Sequence, residues 1–444
     1  MLLIGNGVLI TRDDKNTFLL NGGVVTEGKL IKAVGKTEDL KAQFPDAEFI
    51  DAKGGLIMPG LINMHEHIYS SFARGLSIKG YDPKGFLDVL EGQWWKIDRN
   101  LNLKDDYHSA KVAYLDSIKS GVTTVFDHHA SYGQVSGSLH ELSKAADEYG
   151  IRTCLCYEVS DRDGEEKAVA SVKENIDFIK EAAKRNDDMQ YGMVGIHAAF
   201  TVSDKTFELC RSEMPDDVGF HIHVAEGMTD VLDSLHKYNK PIVNRLFDLG
   251  VLGEKTLAVH GIHINPHEME LLRDTNTMLV TNPESNMGNA VGTSPVLRMW
   301  NEYGILVGLG TDGYTHDMIE SYKVGNLIQK DYLCDPTVAW GEIPTFLFDN
   351  NHKQANRYFK TKLGVLEAGA AADVIIMDYK APTPINENNY NMHILFGTNG
   401  KHVTDTIING EVKMRNRELV GMDEDKIWAD AQQQAADLWS RINA

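Results

Sequence analysis

The sequence predicts an α/β protein, a (β/α)8 barrel carrying a small β domain built from both ends of the chain. Three observations carry that expectation. The chain has 444 residues, enough for a barrel of about 250 residues and an accessory domain. Its long middle alternates short apolar runs with helical segments, the pattern of a parallel sheet. Its two ends share a different texture, in which short alternating apolar runs are separated by Gly and charged turns.

Taken in order, VLITRD, GGVVTEGKLIKAVG and AEFIDAKGGLIMPG read as strands of a β domain over residues 1–58. The barrel is expected over 59–360, where eight runs can be counted: GLINM before His65, GVTTVF before Asp127, IRTCLCY before Glu158, YGMVGI before His197, GFHI before His223, TLAV before His260, TMLVT before Asn282 and ILVGLGT before Asp312. Each run ends on a polar residue, and in such a barrel the strands end where the active site is built. Polar residues commonly follow strands in loops, which accounts for Asp, Asn and Glu but poorly for four terminal histidines. The β texture returns over 361–422, in GAAADVIIMDY and HVTDTIINGEVKMRNREL, and residues 423–444 read as a C-terminal helix. Two β segments flanking one middle imply a single domain closed by both termini.

Composition narrows the function classes. A formal net charge of −20 would repel a phosphate backbone or an anionic membrane, so neither nucleic acid nor lipid is an expected partner. Four cysteines in so long a chain make no disulfide framework and form no C-x-x-C pair, which suits a reducing cytoplasm. The N-terminus lacks a basic n-region and no apolar run reaches the ~20 residues of a membrane span. A cytoplasmic enzyme acting on a small molecule is the expectation.

His65 and His67 are two apart at the end of the first run, so the pleat points both imidazoles to one face. That pair alone does not decide between ligands and barrel-core histidines. Adding His223 and Asp312 gives three imidazoles and one carboxylate, a set that leaves a divalent ion with charge and an open position for water. His221 should also face inward, one layer deeper, as a hydrogen-bonded support or as the alternative ligand. Zn²⁺ is the expected ion, Fe²⁺ the alternative that the same donors accept. Glu158, His129 and Arg162, at or just past the ends of the second and third runs, are candidates for reading a heterocycle's polar edges. Trp94 and Trp95 would line a planar pocket or simply pack.

MPGLINMHEH at 58–67, HVAE at 223–226, His260 in LAVHGIH, NPESNM at 282–287 and GLGTDG at 308–313 resemble the ordered motifs of the amidohydrolase superfamily, in its mononuclear cytosine deaminase and chlorohydrolase branch. LGVLEAGAAADVIIMD at 363–378 is similar to that family's return into a β-sandwich. The resemblance implies a TIM barrel with a small β-sandwich domain, one metal ion held by His65, His67, His223 and Asp312, and a homo-oligomer, dimer or larger. It implies that Glu226 shuttles protons, that His260 contacts the water or substrate, and that His197 binds substrate. Chemistry asks for the same division of labour, with Asp312 accepting the water proton, Glu226 protonating a ring nitrogen and then the amine, and His260 polarising the electrophilic centre. Two departures stand beside the expected pocket: Thr281 where the family often has His, and Gly288-Asn289 where Lys-Leu is usual.

The implied reaction is hydrolysis of a non-peptide C–N bond, deaminating a purine- or pyrimidine-like heterocycle. Ring opening of a cyclic amide or amidine is the alternative on the same site. A non-catalytic scaffold of this ancestry is a third reading, opposed by retention of all six polar residues.

Overall fold

The eight apolar runs become eight strands because each is rich in aliphatic or β-branched residues and is buried along its length. In the computed structural model, which describes all 444 residues, they are β1 (Leu61–Glu66), β2 (Val122–His129), β3 (Arg152–Val159), β4 (Val194–Ala198), β5 (Phe220–Val224), β6 (Leu257–His260), β7 (Met278–Thr281) and β8 (Val307–Leu309). Neighbours pair in parallel in that order, so the barrel expectation holds. Helices with defined starts return the chain between strands: Asn265 caps Pro266–Asp274 and Asp317 caps Met318–Leu333, each accepting backbone N–H groups of the first turn. The connection after β1 is longer. It runs through a 3₁₀ turn at Ile68–Ala73 and short helical turns from Phe86 to Asp98 before the helix Leu103–Lys119.

The barrel closes where β8 meets β1. The amides of Thr311 and Asp312 both donate to the His65 carbonyl at 2.9 Å, and Glu66 bridges Asp312. Beneath that seam, buried Asn351 accepts from the Leu309 amide at 3.0 Å and donates to the carbonyls of Ile62 and Leu309 at 2.8 and 2.9 Å. Asn351→Ala would leave three backbone groups unpaired in the interior. A loss of about 3–5 kcal/mol in denaturant unfolding is expected; a loss below about 1 kcal/mol would contradict this role for the side chain.

Both ends of the chain supply one nine-stranded sheet, in which Leu2–Ile10 lies between Phe18–Glu27 and Leu56–Pro59, and Val374–Met377 continues from Leu56–Pro59 to Val403–Ile408. Most pairs are antiparallel, but Leu2–Ile10 runs parallel to Glu48–Asp51 and Leu56–Pro59 because the helix Thr37–Gln43 carries the chain back first. Ile4, Val24, Ile57, Val374 and Ile407 share one apolar cluster on this sheet. Within the second β segment a helix, Tyr390–Gly397, docks on Met318–Leu333 through the Tyr322 hydroxyl, which donates to the Asn391 carbonyl at 3.1 Å. The final helix, Glu424–Ile442, is capped by Asp423. Its Trp439 indole donates to the Phe72 carbonyl at 2.7 Å, which anchors the turn that follows His67. No helix is long and apolar enough to cross a membrane.

Candidate active site

The ends of β1, β5, β6 and β8 bring His65, His67, His223, His260 and Asp312 together, and each imidazole is oriented through its Nδ1. His67 Nδ1 donates to the His128 carbonyl at 2.6 Å, His223 Nδ1 to the His197 carbonyl at 2.5 Å, and His260 Nδ1 to Asn286 Oδ1 at 2.8 Å. His65 Nδ1 lies 2.8 Å from His221 Nε2. His221 Nδ1 in turn faces Cys156 Sγ at 3.6 Å, and that thiol donates to the Asp127 carbonyl. The chain of bonds makes His65 the donor, so His221 supports His65 and does not join the converging atoms. Burial, aided by neighbouring imidazoles, holds His65, His221 and His223 well below the ordinary imidazole range and keeps them neutral.

Four Nε2 lone pairs therefore point inward. His67 Nε2 lies 3.3 Å from His223 Nε2 and 3.3 Å from Asp312 Oδ1. His65 Nε2, with no hydrogen-bond partner, is 4.0 Å from Asp312 Oδ2. Lone pairs so close repel unless a cation sits among them. Tetrahedral bonds of about 2.0–2.1 Å place neighbouring ligand atoms about 3.3–3.4 Å apart, which two of these spacings match. Three imidazoles and one carboxylate around such a centre suit Zn²⁺.

Glu226 lies just past β5. Its Oε2 is 3.5 Å from His260 Nε2, and its Oε1 accepts from Asn289 Nδ2 at 3.4 Å. Burial, reinforced by the charge of Asp312, pushes its carboxyl well above the usual carboxylate range. His260 Nε2 also lies 3.5 Å from Asp312 Oδ2, so this imidazole stands between two carboxyl groups. Asn289, one of the departures noted in the sequence, thus holds Glu226, while Thr281 receives the Asn286 amide that orients His260.

Ala225, His260 and Asp312 all have left-handed backbone, with φ of 50°, 73° and 56°. Non-glycine residues adopt that conformation at a cost of about 1–3 kcal/mol each. Three such residues at the ends of β5, β6 and β8 mark the place where strand geometry is bent to aim side chains.

Of the residues expected around the substrate, Glu158 and His197 line the cavity that opens beside His67, His223 and Asp312. His129 and Arg162 do not. His129 is fully buried with Nε2 3.5 Å from Asp106 Oδ1, because adjacent residues on a strand face opposite sides and it is His128 that turns toward the site, its ring centroid 4.6 Å from that of His223. Arg162 is turned to Asp98, in a close ion pair, and stacks over the rings of Tyr132 and Trp95. The distance along the chain to Asp98 hides that pairing from sequence reasoning. Trp94 and Trp95 do line the cavity, and with Phe86, Leu87, Leu90 and Phe200 they form its apolar wall. Tyr69, also on the wall, carries no sequence signal beyond following His67 by two.

The Amidohydrolase family model matches residues 56–413, and a model for the imidazolonepropionase-like composite domain of bacteria matches residues 22–47. The chain is 31% identical over 448 residues to a 5′-deoxyadenosine deaminase of Methanosarcina barkeri, covering 100% of this chain and 99% of that one. It is 31% identical to a 5-methylthioadenosine/S-adenosylhomocysteine deaminase of Thermococcus sibiricus, over 93% of this chain and 94% of that one. Among solved structures, a zinc-bound adenosine deaminase from Xanthomonas campestris superposes with a TM-score of 0.86 at 21% identity, over 99% of this chain and 98% of that one. Atrazine chlorohydrolase TrzN from Arthrobacter aurescens shares the fold with a TM-score of 0.82 at 22% identity, over 98% and 100% of the two chains.

Proposed function

The chain belongs to the amidohydrolase family, and from that premise we propose that it is a zinc-dependent aminohydrolase that releases ammonia from an amino-substituted nitrogen heterocycle, with a 5′-modified adenosine as the first substrate to test. The observation that carries the reading is the convergence of imidazole lone pairs and the Asp312 carboxylate beside the buried carboxyl of Glu226. The two deaminases at 31% identity, both named for adenosine derivatives, support a 6-aminopurine ring.

In this reading His65, His67, His223 and Asp312 hold the ion. When bound, it supplies the charge that lowers the pKa of a water from about 15.7 toward about 7. Asp312 accepts the proton that the water gives up, and His260, 3.5 Å from both carboxyl groups, passes it toward Glu226. Glu226 first protonates the ring nitrogen beside the amino-bearing carbon, then hands the second proton to the departing amine. The water oxygen bonds to that carbon, the C–N bond breaks, and ammonia leaves. The wall of Phe86, Leu90, Trp94 and Trp95 excludes bulk water and offers flat faces to a ring.

Zinc-loaded protein assayed against a panel of aminopurine nucleosides, free aminopurines and aminopyrimidines is expected to release ammonia from at least one purine derivative. The same panel followed by mass spectrometry separates the alternatives: a product that has gained water with its nitrogen count unchanged would mean ring opening. Turnover of none of these compounds by metal-replete protein would overturn the reading.

A further inference from the structure

We infer that the β3–β4 side of the cavity is a wall of hydrogen-bond acceptors that selects substrates presenting N–H or O–H groups there and rejects anionic ones, so that an uncharged or cationic nucleoside is taken and a nucleoside phosphate refused. The inference deepens the aminohydrolase reading and rests on it.

The wall is built from Glu158, His197 and, behind them, His128. His197 Nδ1 lies 2.8 Å from Thr201 Oγ1, whose own proton goes to the Ala198 carbonyl at 3.1 Å. The imidazole must therefore donate through Nδ1, and its Nε2 is left as an acceptor; the Trp95 indole approaches it at 3.5 Å. His128 Nε2 faces the carbonyls of His221 and Ile196 at 3.0 and 3.2 Å, so that nitrogen carries the proton. Its Nδ1 is a buried acceptor with no hydrogen-bond partner, 3.4 Å from Glu158 Oε2. The Glu158 carboxylate lies between them, 3.8 Å from His197 Nε2. Three acceptors thus meet with no donor hydrogen among them, which is an unsatisfied arrangement until a bound molecule brings donors. Burial alone would raise the Glu158 carboxyl, but His197, His128 and Arg162 outweigh it and hold the group well below the usual carboxylate range.

Charge points the same way. No Lys or Arg lines this cavity, whereas Glu158, Glu226, Asp230 and Asp312 do. Asp230 already receives the amides of Phe200 and Ala225. Arg162, the nearest cation, sits behind Glu158 at 3.9 Å and is paired with Asp98. A bound divalent ion would be balanced by Asp312 and Glu158. Nothing is left to meet a phosphate, and a buried like-charge approach is strongly disfavoured.

The test compares adenosine, 5′-deoxyadenosine and adenosine 5′-monophosphate on zinc-loaded protein, by kcat/KM for ammonia release and by calorimetric Kd. The phosphate is expected to be at least about 100-fold poorer by both measures. Glu158→Gln, checked for unchanged zinc content, should weaken the neutral nucleosides about tenfold and narrow the gap to the phosphate. A phosphate handled within threefold of adenosine, or a gap that Glu158→Gln leaves unchanged, would overturn the inference. If no purine is turned over, the substrate reading above fails separately, and calorimetry decides this one: tighter binding of the monophosphate than of adenosine refutes it.

Discussion

His223→Ala is expected to lose its zinc and at least about 10⁴-fold of kcat/KM, a loss that added zinc does not restore. Chelation of the wild-type protein should cause the same loss, reversed by zinc. The reason lies in how the imidazoles are wired. His67, His223 and His260 each commit Nδ1–H to an outer acceptor, so none can swing its proton inward to quiet the neighbouring lone pair. His67 and His223 then face each other nitrogen to nitrogen at 3.3 Å. The stripped protein should also melt several degrees lower, since binding to the folded state alone adds stability by mass action. Metal analysis, ammonia release and thermal unfolding check the three parts together. A variant that kept one zinc per chain and activity within tenfold would mean that the ligand set is wrong.

Glu226→Gln should retain zinc and leave KM within about threefold, yet lower kcat by about 10²–10⁴-fold, the range of a lost general acid–base. Glutamine keeps the size of the side chain and the contact with Asn289 Nδ2, so a merely structural role predicts little change. Burial and Asp312 push the Glu226 carboxyl well above the usual carboxylate range, and an acid proton is what the amide cannot supply. Steady-state kinetics beside metal analysis separate the outcomes: loss of zinc would make Glu226 a contributor to the metal site, and unchanged kcat would remove it from the chemistry.

The parts of this site that were legible in sequence are those fixed by strand ends. Eight apolar runs closing on polar residues locate His65, His67, His223, His260 and Asp312 on one rim, because a parallel barrel gathers its strand ends. The period of two should also have separated His128 from His129; position after the strand favoured His129, while the pleat turns His128 inward and His129 onto Asp106. Arg162 was misplaced for a different reason. An arginine near a strand end looks available until its partner is known, and Asp98 comes from the long connection after β1. The same connection supplies Trp94 and Trp95, whose inward faces no periodicity encodes, since a loop's path depends on what it packs against. Asn289 stood out only as a departure from the family pattern, and its contact with Glu226 gives that departure a chemical meaning.

The seam between β8 and β1 also bears on how the protein comes into being. Asn63 and Thr311, 248 positions apart, bond across it, and the amides of Thr311 and Asp312 clasp the His65 carbonyl. During synthesis the edge of β1 must wait for the eighth strand to emerge, so the contact that closes the barrel beside the site is a long-range one. A chain interrupted before Val307 lacks both the strand that closes the barrel and Asp312, so on the proposed reading ammonia release would report that translation has run past the eighth strand.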